Sequence, residues 1–131
     1  MGPEKRVENA ILEYLHMKGI FCWKQNSGGI FDPSKKIFRK NKNPFIINGV
    51  SDILGVLPNG RFLAIEVKTP NSSRSNKTYA SDNQKFFIAN IKANGGLAFI
   101  ARSVEDVQVE LRNVPRDVEL PPLKLVAGPL L

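Results

Sequence analysis

The 131-residue chain has one cysteine, one histidine and no long apolar run, and each shortage excludes a class of protein. Cys22 cannot form an internal disulfide, so we expect a reducing, cytoplasmic setting. Because His16 has no second histidine to join it, we expect it at a helix end rather than in a metal site. No apolar stretch approaches the roughly 18 residues of a membrane span. The first ten residues carry acids and no apolar segment, so we expect neither membrane insertion nor a secretory signal.

Acidic residues are scarce in the main body of the chain. Residues 1–102 carry 16 Lys and Arg against 7 Asp and Glu, a net +9, whereas residues 103–131 carry 3 against 5, a net −2. The basic excess suits binding to a phosphate backbone, although a solubilising surface has a similar composition. The candidate phosphate contacts lie in two polar stretches: Lys35, Lys36, Arg39, Lys40, Lys42, Arg74 and Lys77.

The apolar pattern predicts one domain over residues 1–112, followed by a tail over residues 113–131. Residues 4–18 have apolar positions at helical spacing. Residues 19–48 contain short, broken apolar pieces, which predict an irregular basic β region. The tail has four prolines and no apolar period. It packs on the domain or joins a dimer contact, and the sequence does not decide between these.

Two strong strands and a crossover form the predicted centre of the domain. Residues 50–57 and 61–68 should form a hairpin, and residues 69–80 a polar loop. Ser81 and Gln84 fit a capping box that begins a helix ending at Gly95-Gly96. The apolar strand LAFIAR that follows should lie parallel to residues 61–68 through a right-handed crossover. A shorter helix then begins after Ser103.

The turn Pro58-Asn59-Gly60 predicts the register of the hairpin. A three-residue loop with Gly60 in the left-handed conformation suits both the proline and the glycine, and it pairs residues whose numbers add to 118. Asp52 then lies opposite Glu66. A two-residue Asn59-Gly60 turn would instead place Asp52 opposite Val67, with its side chain on the other face.

In the first register, two carboxylates and a lysine share one face of the hairpin. Strand alternation places Glu66 and Lys68 on the face opposite to Ile65 and Val67. At about 5 Å and an effective dielectric near 20, two opposed carboxylates repel by roughly 3 kcal/mol. Mg²⁺ or Mn²⁺ would offset this repulsion, because hard cations prefer oxygen ligands. With Lys68 beside them, Asp52 and Glu66 would suit metal-assisted phosphodiester hydrolysis. The structural alternative is a strand-edge acid beside an exposed ion pair.

These residues carry a resemblance to a known family. The segment G-V-S-D-I at 49–53, I-E-V-K at 65–68, Gln84 on the next helix and Gly95-Gly96 before the next strand together resemble the PD-(D/E)xK nuclease superfamily. Within it, the chain is most similar to the small stand-alone VRR-NUC domains of phage and bacteria. The resemblance covers roughly residues 4–103.

The resemblance implies an α/β fold with a restriction-endonuclease-like core, in which helices flank a mixed β-sheet in the order α-β-β-β-α-β. It implies DNA cleavage that depends on Mg²⁺ or Mn²⁺. Asp52 and Glu66 would be catalytic metal ligands, the main-chain carbonyl of Val67 a further ligand, and Lys68 the catalytic lysine.

Two further residues match the family's site. Glu8 matches an acid on the first helix and would be a metal ligand, with Glu4 as a near-equivalent one turn earlier. Gln84 matches a helix glutamine that supports catalysis, although the capping box competes for the same side chain. Ser51 stands where many members have proline, a departure that affects the backbone and not the ligands.

The leading hypothesis is a structure-selective DNA endonuclease, most concretely a homodimeric Holliday-junction resolvase that cuts branched DNA in a prokaryotic or phage-infected cell. The junction and the dimer come from the resemblance. A nuclease of restriction-like or flap specificity and a non-catalytic DNA-binding module are the alternatives. Outside the site, we expect Cys22 in the core and Trp23 in the core or on a dimer surface, with base stacking as the lesser alternative.

Overall fold

The computed structural model describes residues 2–25, 43–70 and 80–114, together with the backbone of residues 30–32 and 37–39. Three helices and six strands follow one another along these residues. In chain order they are α1 (Pro3–Met17), β1 (Phe21–Lys24), β2 (Ile30–Asp32), β3 (Ile37–Arg39), β4 (Ile53–Val56), β5 (Phe62–Val67), α2 (Asp82–Ala93), β6 (Leu97–Ala101) and α3 (Val104–Arg112). The tail predicted from residue 113 lies outside the described residues, except for residues 113 and 114.

Four of the strands form one mixed sheet in the order β1-β4-β5-β6. Strand β4 is antiparallel to both β1 and β5, whereas β6 runs parallel to β5. Strands β2 and β3, which lie between β1 and β4 in the chain, form a separate antiparallel pair. The predicted α/β fold with its α-β-β-β-α-β order is therefore confirmed for α1, β1, β4, β5, α2 and β6. The parallel crossover through α2 is confirmed with it.

The register of the β4–β5 hairpin is the one predicted from its turn. Ile53 pairs with Ile65, and Val56 pairs with Phe62, so the paired numbers add to 118. Gly60 has a φ of +84° and donates its N–H to the carbonyl of Leu57. Glycine adopts this left-handed conformation without the steric cost that a Cβ would bring. One step beyond the last paired residues, the same register places Asp52 across from Glu66.

The two faces of the sheet are covered by different helices. On one face, Ile11 and Leu15 of α1 and Val107 of α3 pack with Leu63 and the alternate residues of β5. On the other face, α2 packs Phe87 and Ile88 against three sheet residues, Leu54, Ala64 and Ala98. The polar site described below lies on this second face.

Local sequence determines where the helices around the sheet begin and end. The predicted capping box is present at α2, where Ser81 Oγ accepts from the Gln84 N–H and the Gln84 side chain accepts from the Ser81 N–H. Ser103 caps α3 by accepting from the Asp106 N–H. Gly19 and Gly95, with φ of +75° and +87°, follow the C-terminal ends of α1 and α2. These boundaries agree with those predicted from the sequence because caps depend on neighbouring residues.

Candidate active site

Strand β5 brings two charged side chains to the face covered by α2. Leu63, Ile65 and Val67 point into the core on the α1 side, so alternation turns Glu66 and Lys68 to the opposite face. Both side chains are buried, with 2% of Glu66 and 8% of Lys68 exposed. Charged residues are seldom buried to this extent unless they are paired. Their surroundings must therefore provide polar partners.

Gln84 provides those partners from the first turn of α2. Its Nε2 donates to Glu66 Oε1 at 2.8 Å, and its Oε1 accepts from Lys68 Nζ at 3.2 Å. The same Oε1 accepts from the Ser81 N–H at 2.9 Å. The expected competition between cap and site is therefore wrong. One oxygen serves the helix cap and the lysine together, while the nitrogen serves the glutamate.

The side chain of Asp52 is hydrogen-bonded to strand β5. Its Oδ2 accepts from the Val67 N–H at 2.8 Å, and its main-chain oxygen accepts from the Gln25 N–H at 2.7 Å. The carboxylate is thereby held beside β5, across from Glu66. The structure thus brings together four predicted residues, Asp52, Glu66, Lys68 and Gln84, from two strands and a helix.

Burial and like charge govern the protonation of Glu66. Burial, and after it the neighbouring Asp52 carboxylate, raise the pKa of Glu66 to about 8, while Lys68 acts in the opposite direction. Lys68 Nζ lies 3.7 Å from Glu66 Oε1. Because the lysine does not outweigh burial and Asp52, the Glu66 carboxyl favours its protonated, neutral form.

The donor set fits a hard divalent cation. Glu66 Oε2 is buried and has no hydrogen-bond partner among the described residues, although a buried carboxylate oxygen normally has one. Asp52 supplies a second carboxylate beside it. Oxygen ligands of this kind suit Mg²⁺ or Mn²⁺. Within the described ranges, no three histidine, cysteine, aspartate or glutamate side chains are gathered as a metal group, so the acids nearest the site are a pair.

Glu8 interacts with Asp52 through its charge, but its ion-pair partner is a different residue. Its side chain is buried on α1, whereas Glu4 is exposed. Glu8 Oε1 lies 3.6 Å from Lys24 Nζ. The pKa of Glu8 is raised, chiefly by burial. Lys24 acts to lower this pKa, and the negative charge of Asp52 acts to raise it. Glu8 is therefore a buried acid of the first helix that interacts electrostatically with the site.

Gly49 brings the segment before Asp52 against the start of α2, a role that was not predicted. Its φ is +81°, and a Cβ there would meet the carbonyl group of Asn83 and lie 2.7 Å from the Gln84 nitrogen. Only a residue without a side chain allows this approach. The signal was present in the sequence as the glycine of G-V-S-D, but no local pattern identifies what a glycine touches.

Other predicted positions have mixed outcomes. Cys22 is buried in the core and His16 lies near the end of α1, where Nε2 is 3.1 Å from the Cys22 carbonyl oxygen; both expectations are confirmed. Trp23 is 37% exposed, so the expectation of a core position is wrong; it lies on the edge strand β1.

The candidate DNA contacts lie outside the described side chains: Lys35, Lys36, Arg39, Lys40, Lys42, Arg74 and Lys77.

Comparison with known proteins agrees with this fold. A solved structure titled "VRR_NUC domain" superimposes with a TM-score of 0.58 at 18% sequence identity, covering 86% of this chain and 98% of the other. At that identity the likeness concerns the fold. The comparison with curated proteins gives no match. Across the helices that the structure describes, none is long and apolar enough to cross a membrane.

The sequence itself matches the family description "VRR-NUC domain" over residues 3–105. That range includes the whole polar cluster, from Glu8 on α1 to Gln84 on α2. The chain therefore belongs to the VRR-NUC family of nuclease-type domains.

Proposed function

We propose that this protein is a metal-dependent, structure-selective DNA endonuclease that hydrolyses phosphodiester bonds, most concretely a homodimeric Holliday-junction resolvase. The observation that supports hydrolysis most directly is the buried cluster in which Gln84 contacts both Glu66 and Lys68 beside Asp52. A structural ion pair needs no second carboxylate and no unpartnered oxygen. A metal-dependent hydrolytic site does need a second carboxylate, and it needs carboxylate oxygens that are left available to bind the cation.

Asp52 and Glu66 are the side chains that would hold Mg²⁺ or Mn²⁺, with the Val67 carbonyl and Glu8 as proposed further ligands. When bound, such an ion lowers the pKa of water and offsets charge on the phosphoryl oxygens. Two observations support this assignment: Glu66 Oε2 has no hydrogen-bond partner among the described residues, and the pKa of that carboxyl is raised. Both features describe a group that lacks a sufficient positive partner.

Lys68 has the role of stabilising negative charge as the phosphodiester is attacked. Its ammonium group is held by Gln84 Oε1 and lies near Glu66 Oε1, so it is oriented before substrate binds. A charge fixed in a site that excludes water acts more strongly than one in solution. Gln84 keeps Lys68 and Glu66 in their relative positions and is itself fixed by the cap of α2.

The preference for branched DNA and the dimer rest on the family resemblance and on one geometric argument. A four-way junction is resolved by paired cuts in two strands, whereas the described residues of one chain contribute one cluster that joins two acids, a lysine and a glutamine. Two copies of the chain would provide the two sites. The net charge of +7 supports binding to a branched polyanion.

A cleavage assay tests the proposal. The protein would be incubated with four-way junction, flap, nicked, linear duplex and single-stranded DNA in Mg²⁺, Mn²⁺, Ca²⁺ or EDTA. We expect cleavage in Mg²⁺ or Mn²⁺ and none in EDTA. We expect Asp52→Ala and Lys68→Met to bind DNA without cutting it. Methionine keeps much of the apolar stem of the buried lysine, so Lys68→Met should fold.

Lys92→Ala is the matched control, since it removes an exposed positive charge from the last turn of α2. Position 92 lies about 12 Å along the helix from Gln84. Equal cleavage by the wild type and Lys68→Met would refute the role of the lysine. Paired symmetric nicks in the junction would support the resolvase, whereas cuts confined to flaps or linear duplex would support another nuclease specificity.

A further inference from the structure

We propose that Phe21 and Trp23 of β1 form a stacking platform for an unpaired nucleobase next to the acid pair. This inference rests on the proposed function and adds to it a contact with the substrate. The stacked base would belong to the same DNA whose phosphate enters the site. It gives the protein a means of recognising DNA in which a base is not stacked inside a duplex.

The strand pairing places the platform on the same face of the sheet as the acids. Cys22 points into the core on the α1 side, so its neighbours Phe21 and Trp23 point to the α2 side. Trp23 pairs with Leu54, whose side chain packs under α2. Asp52 is two residues from Leu54 on the neighbouring strand. Ideal strand spacing therefore puts the Cα atoms of Trp23 and Asp52 about 8 Å apart.

Helix α2 covers the middle of this face and leaves the β1 edge open. Phe21 is 69% exposed, Trp23 is 37% exposed and Val56, which pairs with Phe21, is 39% exposed. Phe21, Trp23 and Val56 are contiguous, so they form an exposed apolar patch at one edge of the site that is available to a ligand.

The two rings have a defined arrangement. Their centroids are 5.5 Å apart with an interplanar angle of 53°, and Trp23 Nε1 donates to Gln25 Oε1 at 3.1 Å. Gln25 in turn donates its main-chain N–H to the Asp52 main-chain oxygen. The indole is thus held on the side of β1 nearest Asp52, where the proposed function would place the phosphate.

The exposed area favours a nucleobase over a second copy of the chain. An aromatic side chain offers at most about 150–250 Å², so the exposed parts of Phe21 and Trp23 amount to roughly 200–250 Å². A stable protein interface needs about 800 Å² on each partner. One base needs only a single ring face, and every base has a π-face that stacks on tryptophan or phenylalanine. The positive net charge also suits a nucleic acid.

Intrinsic fluorescence tests the platform directly, because Trp23 is the single tryptophan of the chain. The wild-type protein would be titrated in EDTA, where no cleavage is expected, with a thymidine 12-mer and with the same strand carrying abasic residues. Labelled-strand anisotropy would report binding independently. We expect the base-containing strand to quench Trp23 and the abasic strand to bind more weakly without quenching it.

Substitutions separate stacking from the fold. Stacking on an aromatic ring changes affinity by about 5- to 150-fold per base, so Trp23→Ala should weaken binding of the thymidine strand about tenfold and leave the abasic strand unchanged. Trp23→Phe should retain most of the binding because it keeps a ring. Phe86→Ala removes a similarly exposed ring from α2 and should change neither strand's affinity.

The outcomes are distinct for the two proposals. Binding of both strands with equal affinity and no quenching would overturn the platform and leave the nuclease intact. No binding of any DNA would overturn both. A dimer in sedimentation experiments without DNA that Trp23→Ala dissociates would assign these rings to an interface between copies and overturn the platform.

Discussion

Gln84 and Glu66 are joined by a 2.8 Å hydrogen bond between two side chains that come from different layers of the fold. The amide nitrogen donates to the carboxylate, while the amide oxygen accepts from Lys68 and from the Ser81 N–H. The cap of a helix and the order of a buried polar cluster therefore depend on the orientation of one amide group.

Gln84→Glu should separate these two roles. Glutamate is accepted at the third position of a capping box, so α2 should still begin at the same residue. The new carboxylate would face Glu66 without a donor, and like charges at hydrogen-bond distance repel. We expect a folded protein whose cleavage rate falls at least about 100-fold, roughly the loss of one charge-assisted hydrogen bond, measured as initial rates on the preferred substrate.

Ser81→Ala is the matched control for that experiment. It removes the hydroxyl cap and should lower the free energy of unfolding by about 1 kcal/mol. It leaves the Ser81 N–H that holds Gln84, so cleavage should stay within a few-fold of the wild type. A loss of activity as large as that of Gln84→Glu would show that the cap, and not the amide, controls the site.

The raised pKa of Glu66 predicts how stability depends on pH in the absence of metal. The folded-state pKa, about 8, is above the ordinary value of 4.5, so folding favours the protonated carboxyl. Its contribution is complete below pH 4.5 and is lost as the pH rises through 8. Each pKa unit corresponds to about 1.4 kcal/mol, so the loss is on the order of 5 kcal/mol. Glu8, whose pKa is also raised, acts in the same direction.

Urea unfolding in EDTA at about pH 5, 6.5 and 8 measures this dependence. We expect the free energy of unfolding to fall across the range for the wild type and to fall much less for Glu66→Gln, which cannot ionise. Mg²⁺ at the highest pH should restore stability to the wild type alone, because the proposed metal site forms only in the folded protein. If the free energy of unfolding of Glu66→Gln fell with pH as steeply as that of the wild type, Glu66 would not be the cause of the pH dependence.

Gly49→Ala should disturb the site through the backbone of α2. A Cβ at Gly49 would collide with Asn83 and approach the Gln84 nitrogen, and the φ of +81° adds strain. We expect a loss of roughly 2–4 kcal/mol in the free energy of unfolding and a fall in cleavage, because the first turn of α2 must move.

Gly95→Ala controls for the strain alone. Gly95 has a similar φ of +87° at the other end of α2, and a Cβ there meets nothing within 4 Å. The substitution should cost about 1 kcal/mol and leave cleavage unchanged. If Gly49 acts through Gln84, Gly49→Ala should lower cleavage little further in a Gln84→Ala background, and independent losses would contradict the coupling.

Ser51→Ala should not harm the protein. Ser51 is fully buried, and its Oγ has no hydrogen-bond partner among the residues described. Burial of an unpaired hydroxyl costs about 1–3 kcal/mol, so its removal should raise the free energy of unfolding by about 1 kcal/mol. Thermal unfolding and a cleavage assay check this, and a clear loss of stability would indicate a partner for the hydroxyl.

Local sequence was sufficient for the hairpin register, the capping box of α2 and the crossover to β6. Pro58, Asn59 and Gly60 favour one low-strain turn, and that turn places Asp52 across from Glu66. Strand alternation then places Glu66 and Lys68 together. The turn, the cap and the strand alternation depend on backbone preferences within a few residues, and the crossover follows the general rule for parallel strands joined by a helix.

Contacts between distant segments required the tertiary structure. The sequence left Glu4 and Glu8 as near-equivalents, and burial against the sheet distinguishes them. Neither the pairing of β1 with β4, which exposes Trp23, nor the contact of Gly49 with α2 has a local signature.

The sequence by itself determined which chemical groups the site contains and how the hairpin aligns them. Only long-range packing decided how deeply Glu66 is buried, which amide holds it and which aromatic rings of β1 remain exposed. The physical reason is that desolvation and contact depend on what the rest of the chain brings near, and no short stretch of residues carries that information.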